Sequence, residues 1–250
     1  MWDGAGRCLQ VLEGNGNSIL DLLKVDDQTL ASCSRDRMIK IWRKDEENNF
    51  YLTKSWEGHA AIILDLCLLP KGYIASAGGD AEIRIFDIAT NQQQGILLGH
   101  SDWVWQLIPM GLLGLFSCSE DGTIRYWIWK EASCAFILDN VCPTHAIAYD
   151  KALQLLFAGD IKGQLSMWDI NKKRLRHRFV AHDGLIRSII ILPNGNIATA
   201  GEDGFLRVWK SETFFLIYEH QRPNFVQDLC WFQGRLFSAA YDGEIIAHIF

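Results

Sequence analysis

The sequence predicts an all-β chain of six four-stranded antiparallel sheets arranged radially, and three observations carry that prediction. An aromatic-type position recurs at Trp42, Phe86, Trp127, Trp168, Trp209 and His248, in steps of 44, 41, 41, 41 and 39 residues. Four-stranded blades of a β-propeller repeat at this length. Hydrophobicity before that position alternates with period two, as in Ile39-Lys40-Ile41-Trp42 and Leu206-Arg207-Val208-Trp209, which is strand spacing. Asp-Gly pairs at Asp121-Gly122, Asp203-Gly204 and Asp242-Gly243 punctuate the runs, where glycine's access to positive φ closes a tight hairpin. No stretch longer than about two turns has helical periodicity.

Each repeat reads in the same order. A short apolar strand such as Thr29–Ser32 or Asn196–Thr199 leads to a turn, and the alternating strand follows. The frames are Ser32…Asp36…Trp42, Ser76…Asp80…Phe86, Ser117…Asp121…Trp127, Ala158…Lys162…Trp168, Thr199…Asp203…Trp209 and Ser238…Asp242…His248. Outer strands are expected at 50–56, 174–179 and 214–218. Only two residues follow His248, so residues 6–12, with Arg7–Leu12 as the strand, are expected to supply the outer strand of the last blade and remove its open edge. The expectation is thus a single domain over residues 1–250. Trp2-Asp3 reads as the end of a further third strand, which sets against it a segment of a longer, seven-bladed protein.

Composition excludes several classes. Apolar residues make up 49% and charged residues 22%, enough for a sizeable core and against wholesale disorder. A net charge of −6 disfavours a general nucleic-acid-binding surface. No apolar run reaches the roughly 18–20 residues of a membrane-spanning helix, and the N-terminus lacks a signal-peptide layout. Seven cysteines, an odd number without a Cys-x-x-Cys pair, argue against a disulfide framework and a zinc site. A reducing, cytoplasmic (or nuclear) setting is the expectation, with no metal and no cofactor. Phosphate-loop, dinucleotide, zinc-protease and nucleophile-elbow motifs do not occur. Gly14-Asn15-Gly16-Asn17-Ser18 precedes a strand rather than a helix and reads as a loop turn. The expectation is a protein that is not an enzyme.

Gly58-His59, Gly99-His100 and Trp168-Asp169, in this frame, resemble the WD40-repeat family over essentially the whole chain. The resemblance implies that a hydrogen-bonded His, Ser/Thr, Asp and Trp brace each blade. Carried over, the structural tetrads are His59, Ser76 and Asp80 with Phe86; His100, Ser117, Asp121 and Trp127; and His182, Thr199, Asp203 and Trp209. Asn15 stands at the His position of blade one. Blade six has His220 out of register and His248 at the Trp position, and blade four, with Asn140, Ala158 and Lys162, is expected to lack its network. These groups read as structural, because a buried Asp must be hydrogen-bonded.

The resemblance also implies a protein or peptide partner on the narrow face of the propeller. The residues expected there are Arg35, Glu120, Glu202 and Tyr241, which precede the turn acids, with Trp103, Trp105, Arg187 and Phe225 near the inner strands. Trp103 and Trp105 point opposite to Val104, so a buried Val104 leaves at least one tryptophan near the channel mouth; the alternative reading is that both fill the gap between blades. Asp21, Asp65 and Asp228 are expected to line a hydrated channel. The run 172–178, with five Lys or Arg, reads as a solvated outer edge rather than a membrane-binding surface. The function that follows is a non-catalytic interaction scaffold, monomeric, without nucleic-acid or membrane partners. Val25-Asp26-Asp27 with Ala31–Asp36, and Leu192–Ile197 with Gly201-Glu202-Asp203, are similar to ubiquitin-binding propellers of the PLAA type, which implies ubiquitin as partner. A sensor or targeting module of a larger signalling protein is the rival reading.

Overall fold

A computed structural model of the chain describes residues 7–211 and 213–249. It is all-β apart from one 3-10 turn, Trp129–Glu131. The first blade holds β1 (Ile19–Lys24), β2 (Thr29–Ser34), β3 (Met38–Lys44) and β4 (Phe50–Glu57). The second holds β5 (Ile63–Leu69), β6 (Tyr73–Gly78), β7 (Ile83–Asp87) and β8 (Gln92–Leu97), and the third β9 (Val104–Met110), β10 (Gly114–Ser119), β11 (Thr123–Ile128) and β12 (Ser133–Asp139). The fourth holds β13 (Thr144–Asp150), β14 (Leu155–Asp160), β15 (Gln164–Asp169) and β16 (Arg174–Val180). The fifth holds β17 (Ile186–Ile191), β18 (Ile197–Gly201), β19 (Phe205–Trp209) and β20 (Leu216–Gln221), and the sixth β21 (Val226–Phe232), β22 (Arg235–Ala240) and β23 (Ile245–His248). Strand order follows chain order in every sheet.

The six blades and their order are those expected. The sixth sheet has three strands among the described residues. Of the stretch expected to complete it, residues 7–12 hold one bridge residue, Cys8, and no strand. Here Gln10 works through its side chain: its amide donates to Phe50 O at 2.7 Å and its Oε1 accepts Phe50 N–H at 2.9 Å. Trp2-Asp3 and residue 6 lie outside the described residues. The outer strand expected at 214–218 begins at Leu216, because Phe214 adopts φ 57° and closes a turn onto Lys210 O.

Turn chemistry fixes the hairpins. Gly122, Gly204 and Gly243 sit at φ 78°, 79° and 84°, while Arg37 and Ala81 adopt φ 68° and 66° at the equivalent place, a strain of about 1–2 kcal/mol each. At Gly163 a side chain is excluded outright, since a Cβ would stand 1.9 Å from His182 O.

The chain divides into two compact units, residues 1–117 with 126–135 and residues 118–125 with 136–250. In the first, Ile39, Ile41 and Trp56 of blade one pack on Ile63, Ile74 and Phe86 of blade two. The opposite face of blade two, with Ala75, Ile83 and Ile85, packs on Leu107, Leu115, Trp127 and Trp129. In the second unit, Ala146, Phe157 and Leu165 meet Ile186, Ile189 and Trp209, and the far side of blade five meets Val226, Leu229 and Leu236. Within each unit, successive first strands lie side by side, β1 with β5 and β5 with β9, then β13 with β17 and β17 with β21. All seven cysteines are free thiols.

Candidate binding surface and the networks that hold it

The turn ends of the blades carry the candidate residues, so their rigidity depends on how each turn is braced. In blade five Trp209 Nε1–H donates to Thr199 Oγ1 at 2.9 Å, which lies 2.7 Å from His182 Nε2. His182 Nδ1 lies 2.8 Å from Asp203 Oδ1, and Asp203 Oδ2 accepts the Asp183 N–H at 3.1 Å. With a neutral imidazole the hydroxyl donates to Nε2 and Nδ1–H donates to the carboxylate, so every donor has an acceptor. Burial pushes His182 below the ordinary histidine range despite the pull of Asp203. For Asp203 burial acts upward, but His182, Arg207 and the Phe205 N–H outweigh it and hold the carboxyl well below its usual range.

Blade two repeats the pattern. His59 Nε2 lies 2.7 Å from Ser76 Oγ and Nδ1 2.9 Å from Asp80 Oδ1, while Phe86, with no indole donor, stacks on Trp56 at 5.1 Å. Gly78 and Gly201 permit these contacts, since a Cβ would stand 2.2 Å and 2.4 Å from the respective imidazole Nδ1. In blade three His100 Nε2 lies 2.7 Å from Ser117 Oγ, which accepts Trp127 Nε1–H at 2.8 Å.

Three blades use other chemistry. In blade one Trp42 donates to Ser32 Oγ at 2.9 Å, but Lys40 Nζ, 2.6 Å from Asp36, replaces the imidazole as the carboxylate's partner. Asn15 reaches Ser32 only at 3.5 Å. Blade four does have a network, contrary to expectation. Arg178, from the outer strand, donates to Ser166 Oγ at 2.7 Å, Asn140 Oδ1 at 2.9 Å and Asn140 O at 3.0 Å, and Asn140 Oδ1 also accepts Trp168 Nε1–H at 3.3 Å. Its turn acid is Asp160, two residues before Lys162, whose N–H it accepts at 2.8 Å. In blade six the group missing from the sequence reading is Arg222. Its guanidinium meets Asp242 at 2.6 Å and 3.0 Å and Ser238 Oγ at 3.1 Å, and Ser238 Oγ lies 2.8 Å from His248 Nε2. Burial, with the neighbouring charges of His220 and Arg222, lowers His248 to about 4.

The basic run is largely engaged rather than a free edge. Besides Arg178, Arg176 pairs with Asp169 at 2.9 Å, and Lys173 lies over the Phe136 ring at 4.7 Å. The inner-strand acids are likewise more than hydrated lining. Asp21 accepts the Leu66 N–H at 3.0 Å, Asp65 the Leu107 N–H at 2.7 Å, and Asp228 the Ser188 hydroxyl at 2.8 Å, each in the adjacent blade. A register shift just before each, at 19/21, 63/65 and 226/228, turns the carboxylate toward its neighbour.

The candidate residues form separate groups. In the first unit Val104 is fully buried and Trp103 is 40% exposed, with its ring 5.4 Å from that of half-buried Trp105. A Cβ on Gly79 would stand 3.5 Å from Trp103, an ordinary contact distance, so the turn of blade two lies against the indole. Arg35 is exposed, its N–H held by Ser18 O at 3.0 Å. In the second unit Glu120 meets His145 Nε2 at 2.7 Å, Arg187 pairs with Glu202, and exposed Phe225 and Tyr241 meet edge-on at 6.2 Å. Burial holds His145 below the ordinary histidine range against the pull of Glu120. His145 went unnoticed in the sequence, yet it occupies the bulge position of β13 that Arg187 occupies in β17.

Among known proteins, the chain is similar to Autophagy-related protein 16 of Arabidopsis thaliana, 26% identical over 80% of this chain and 39% of the relative. It is 23% identical to Ubiquitin homeostasis protein lub1 of Schizosaccharomyces pombe over 90% of this chain and 31% of the relative. Target of rapamycin complex subunit wat1 of the same yeast is 24% identical over 82% of this chain and 64% of its own length. The chain thus spans from under a third to under two thirds of these relatives. The model of the family "WD domain, G-beta repeat" matches residues 6–43, 50–87, 91–127 and 173–210. The first match takes in residues 6–12 in the frame that β4 holds in the second. The stretches 128–172 and 211–250 fall outside the matches and include β13–β15 and β21–β23, from the blades braced by Arg178 and Arg222. With more than half its length matched, the chain belongs to the WD domain, G-beta repeat family.

Proposed function

We propose that this chain is a non-catalytic interaction scaffold that holds a protein or peptide partner on the turn ends of its blades. The observation that carries the reading is Trp103, 40% exposed beside Trp105 on a braced framework. Keeping a large aromatic ring in water without a partner forgoes burial, and aromatic rings bordered by polar groups are characteristic interface anchors. Phe225 and Tyr241, with the Arg187–Glu202 pair, offer a second patch of the same kind in the other unit. The known members with which the chain aligns are named for autophagy, ubiquitin homeostasis and a target-of-rapamycin complex, which fits recruitment rather than chemistry. Affinity capture with the wild-type chain and with Trp103→Ala and Tyr241→Ala tests this. Loss of the principal captured protein at unchanged melting temperature supports the surface, and undiminished capture by both variants rejects it.

A narrower reading makes the partner ubiquitin, favoured by alignment over 90% of this chain with a protein named for ubiquitin homeostasis. Ubiquitin's apolar patch with basic neighbours suits Trp103 in one unit, or Tyr241 with Glu120 and Glu202 in the other. Titrating labelled ubiquitin with the chain to about millimolar concentration should move its resonances, and a flat titration removes this reading. A sensor or targeting role within a larger signalling protein follows if neither patch captures a folded partner but fusion to a neighbouring domain alters that domain's output.

A further inference from the structure

We propose that the loop before β13 is an anchoring point for the partner on the second unit. Val141 and Ile161 receive an apolar side chain, Asp139 takes a base on one flank and Lys162 an acid on the other. This rests on the reading of the turn ends as a binding surface and names the chemistry of what binds there.

Blade four departs from its neighbours at one amide. In blades two and five the residue after the histidine, Ala60 or Asp183, gives its N–H to the turn acid, Asp80 at 2.8 Å or Asp203 at 3.1 Å. Blade four has Asn140 and Lys162 in those places, so the Val141 amide lacks that acceptor. It turns back to Asp139 Oδ1 at 2.9 Å instead, and the backbone goes to φ 69°. Val141 is the one β-branched residue with positive φ among the described residues. Glycine or asparagine would sit there with less strain, since a branched Cβ crowds the backbone in the left-handed region. The fold gives the valine nothing in return, because its side chain is 73% exposed. Stability therefore does not account for a valine at this place, and strain held at the surface points to a contact.

The loop is held firmly. Asn140 is fully buried, its N–H bonded to Gly122 O at 2.9 Å and its side chain to Arg178. Thr144 Oγ1 donates to Cys142 O at 3.0 Å, and Pro143 O accepts the Ile161 N–H at 3.1 Å. Val141, half-buried Cys142 and Pro143, and Ile161, itself 39% exposed, thus make an apolar strip fixed before any partner arrives. Pre-ordering of this kind removes part of the entropy cost of binding. Asp139, exposed at the Val141 end, and Lys162, exposed at the Ile161 end, give the strip a charge at either side. An apolar side chain between a base and an acid matches this order, and the charges set its direction.

Random dodecapeptides displayed on phage and selected on the intact immobilised chain supply the probe. The selected peptides should include a group with an aliphatic or aromatic residue between a Lys or Arg and an acid. Val141→Asn should raise the melting temperature, by relieving the backbone, while weakening that group about tenfold. Asp139→Asn keeps an acceptor for the Val141 N–H and should weaken only peptides that carry the base. Peptides that depend on Trp103 or Tyr241 but are indifferent to Val141→Asn reject this anchoring point and leave the scaffold reading standing. Peptides indifferent to all of these substitutions reject both. A melting temperature lowered by Val141→Asn, equal binding of peptides without the base, or no peptide selected also overturns the proposal.

Discussion

The carboxylate of Asp65 accepts the backbone N–H of Leu107 at 2.7 Å, across the boundary between two blades. Asp21 does the same for Leu66 one blade earlier. Each bond satisfies an amide in the next sheet's first strand, so Asp65→Ala should leave the Leu107 N–H without this acceptor and cost about 1–3 kcal/mol. Asp65→Asn keeps an acceptor oxygen and should cost less. Urea unfolding of both variants checks the order.

Arg178 should prove far less replaceable than its place in a basic run suggests. Its fork holds Ser166 and both oxygens of buried Asn140. Lysine has no such fork, so Arg178→Lys should lose about 1–3 kcal/mol, nearly as much as Arg178→Ala. Neutralising exposed Lys172 should change stability by no more than about 0.5 kcal/mol.

In blade six, Arg222→Met should lower the melting temperature more than Ser238→Ala does. The first takes the cation from Asp242 and one donor from Ser238, while the second removes a hydroxyl that meets Arg222 and His248 but leaves the Arg222–Asp242 pair in place. Differential scanning calorimetry ranks the two.

Acid should weaken the fold in two stages. His182 and His145 lie below the ordinary histidine range, and His248 is lowered to about 4. The unfolded chain takes up protons on these groups below its ordinary value of 6.5 while the folded chain does not, so stability is greatest above that pH and falls on the way to about 4. Asp80, Asp203 and Asp242 lie below their ordinary 3.8, so their contribution is present above that pH and is lost as acidity increases further. The urea midpoint should decline from neutral pH to about 4, and His248→Gln should flatten part of that decline.

The sequence made the six blades legible because hairpin strands and turns are local, and their period is written in one stretch of chain. The braces of blades two, three and five were legible for the same reason: the imidazole stands 17 residues before the hydroxyl and 21 before the acid, as in His59, Ser76 and Asp80. Arg222 was hidden by a shift of one position, standing 20 residues before Asp242. Arg178 was hidden more deeply, since its bond to Asn140 spans 38 residues and comes from a strand that supplies no brace elsewhere. The acids that bond the next blade's amides show no sign of it in their own strand. Of the surface residues, pattern located the turn ends but not the His145–Glu120 contact, which depends on a bulge.

Gly78 and Gly201 impose an order on how the second and fifth repeats can diverge. A methyl group at either place would occupy the volume of an imidazole nitrogen. A lineage that introduces any side chain at Gly78 while His59 is present meets a collision, whereas one that first exchanges His59 for a shorter group can then accept it. Blades one and six, with Ser34 beside Asn15 and Ala240 beside Arg222, have the combinations that lie at the far end of such a path. Blade three already combines Ser119 at that place with His100 on Ser117, so the order is set by where the imidazole stands in the second and fifth repeats and binds those two alone.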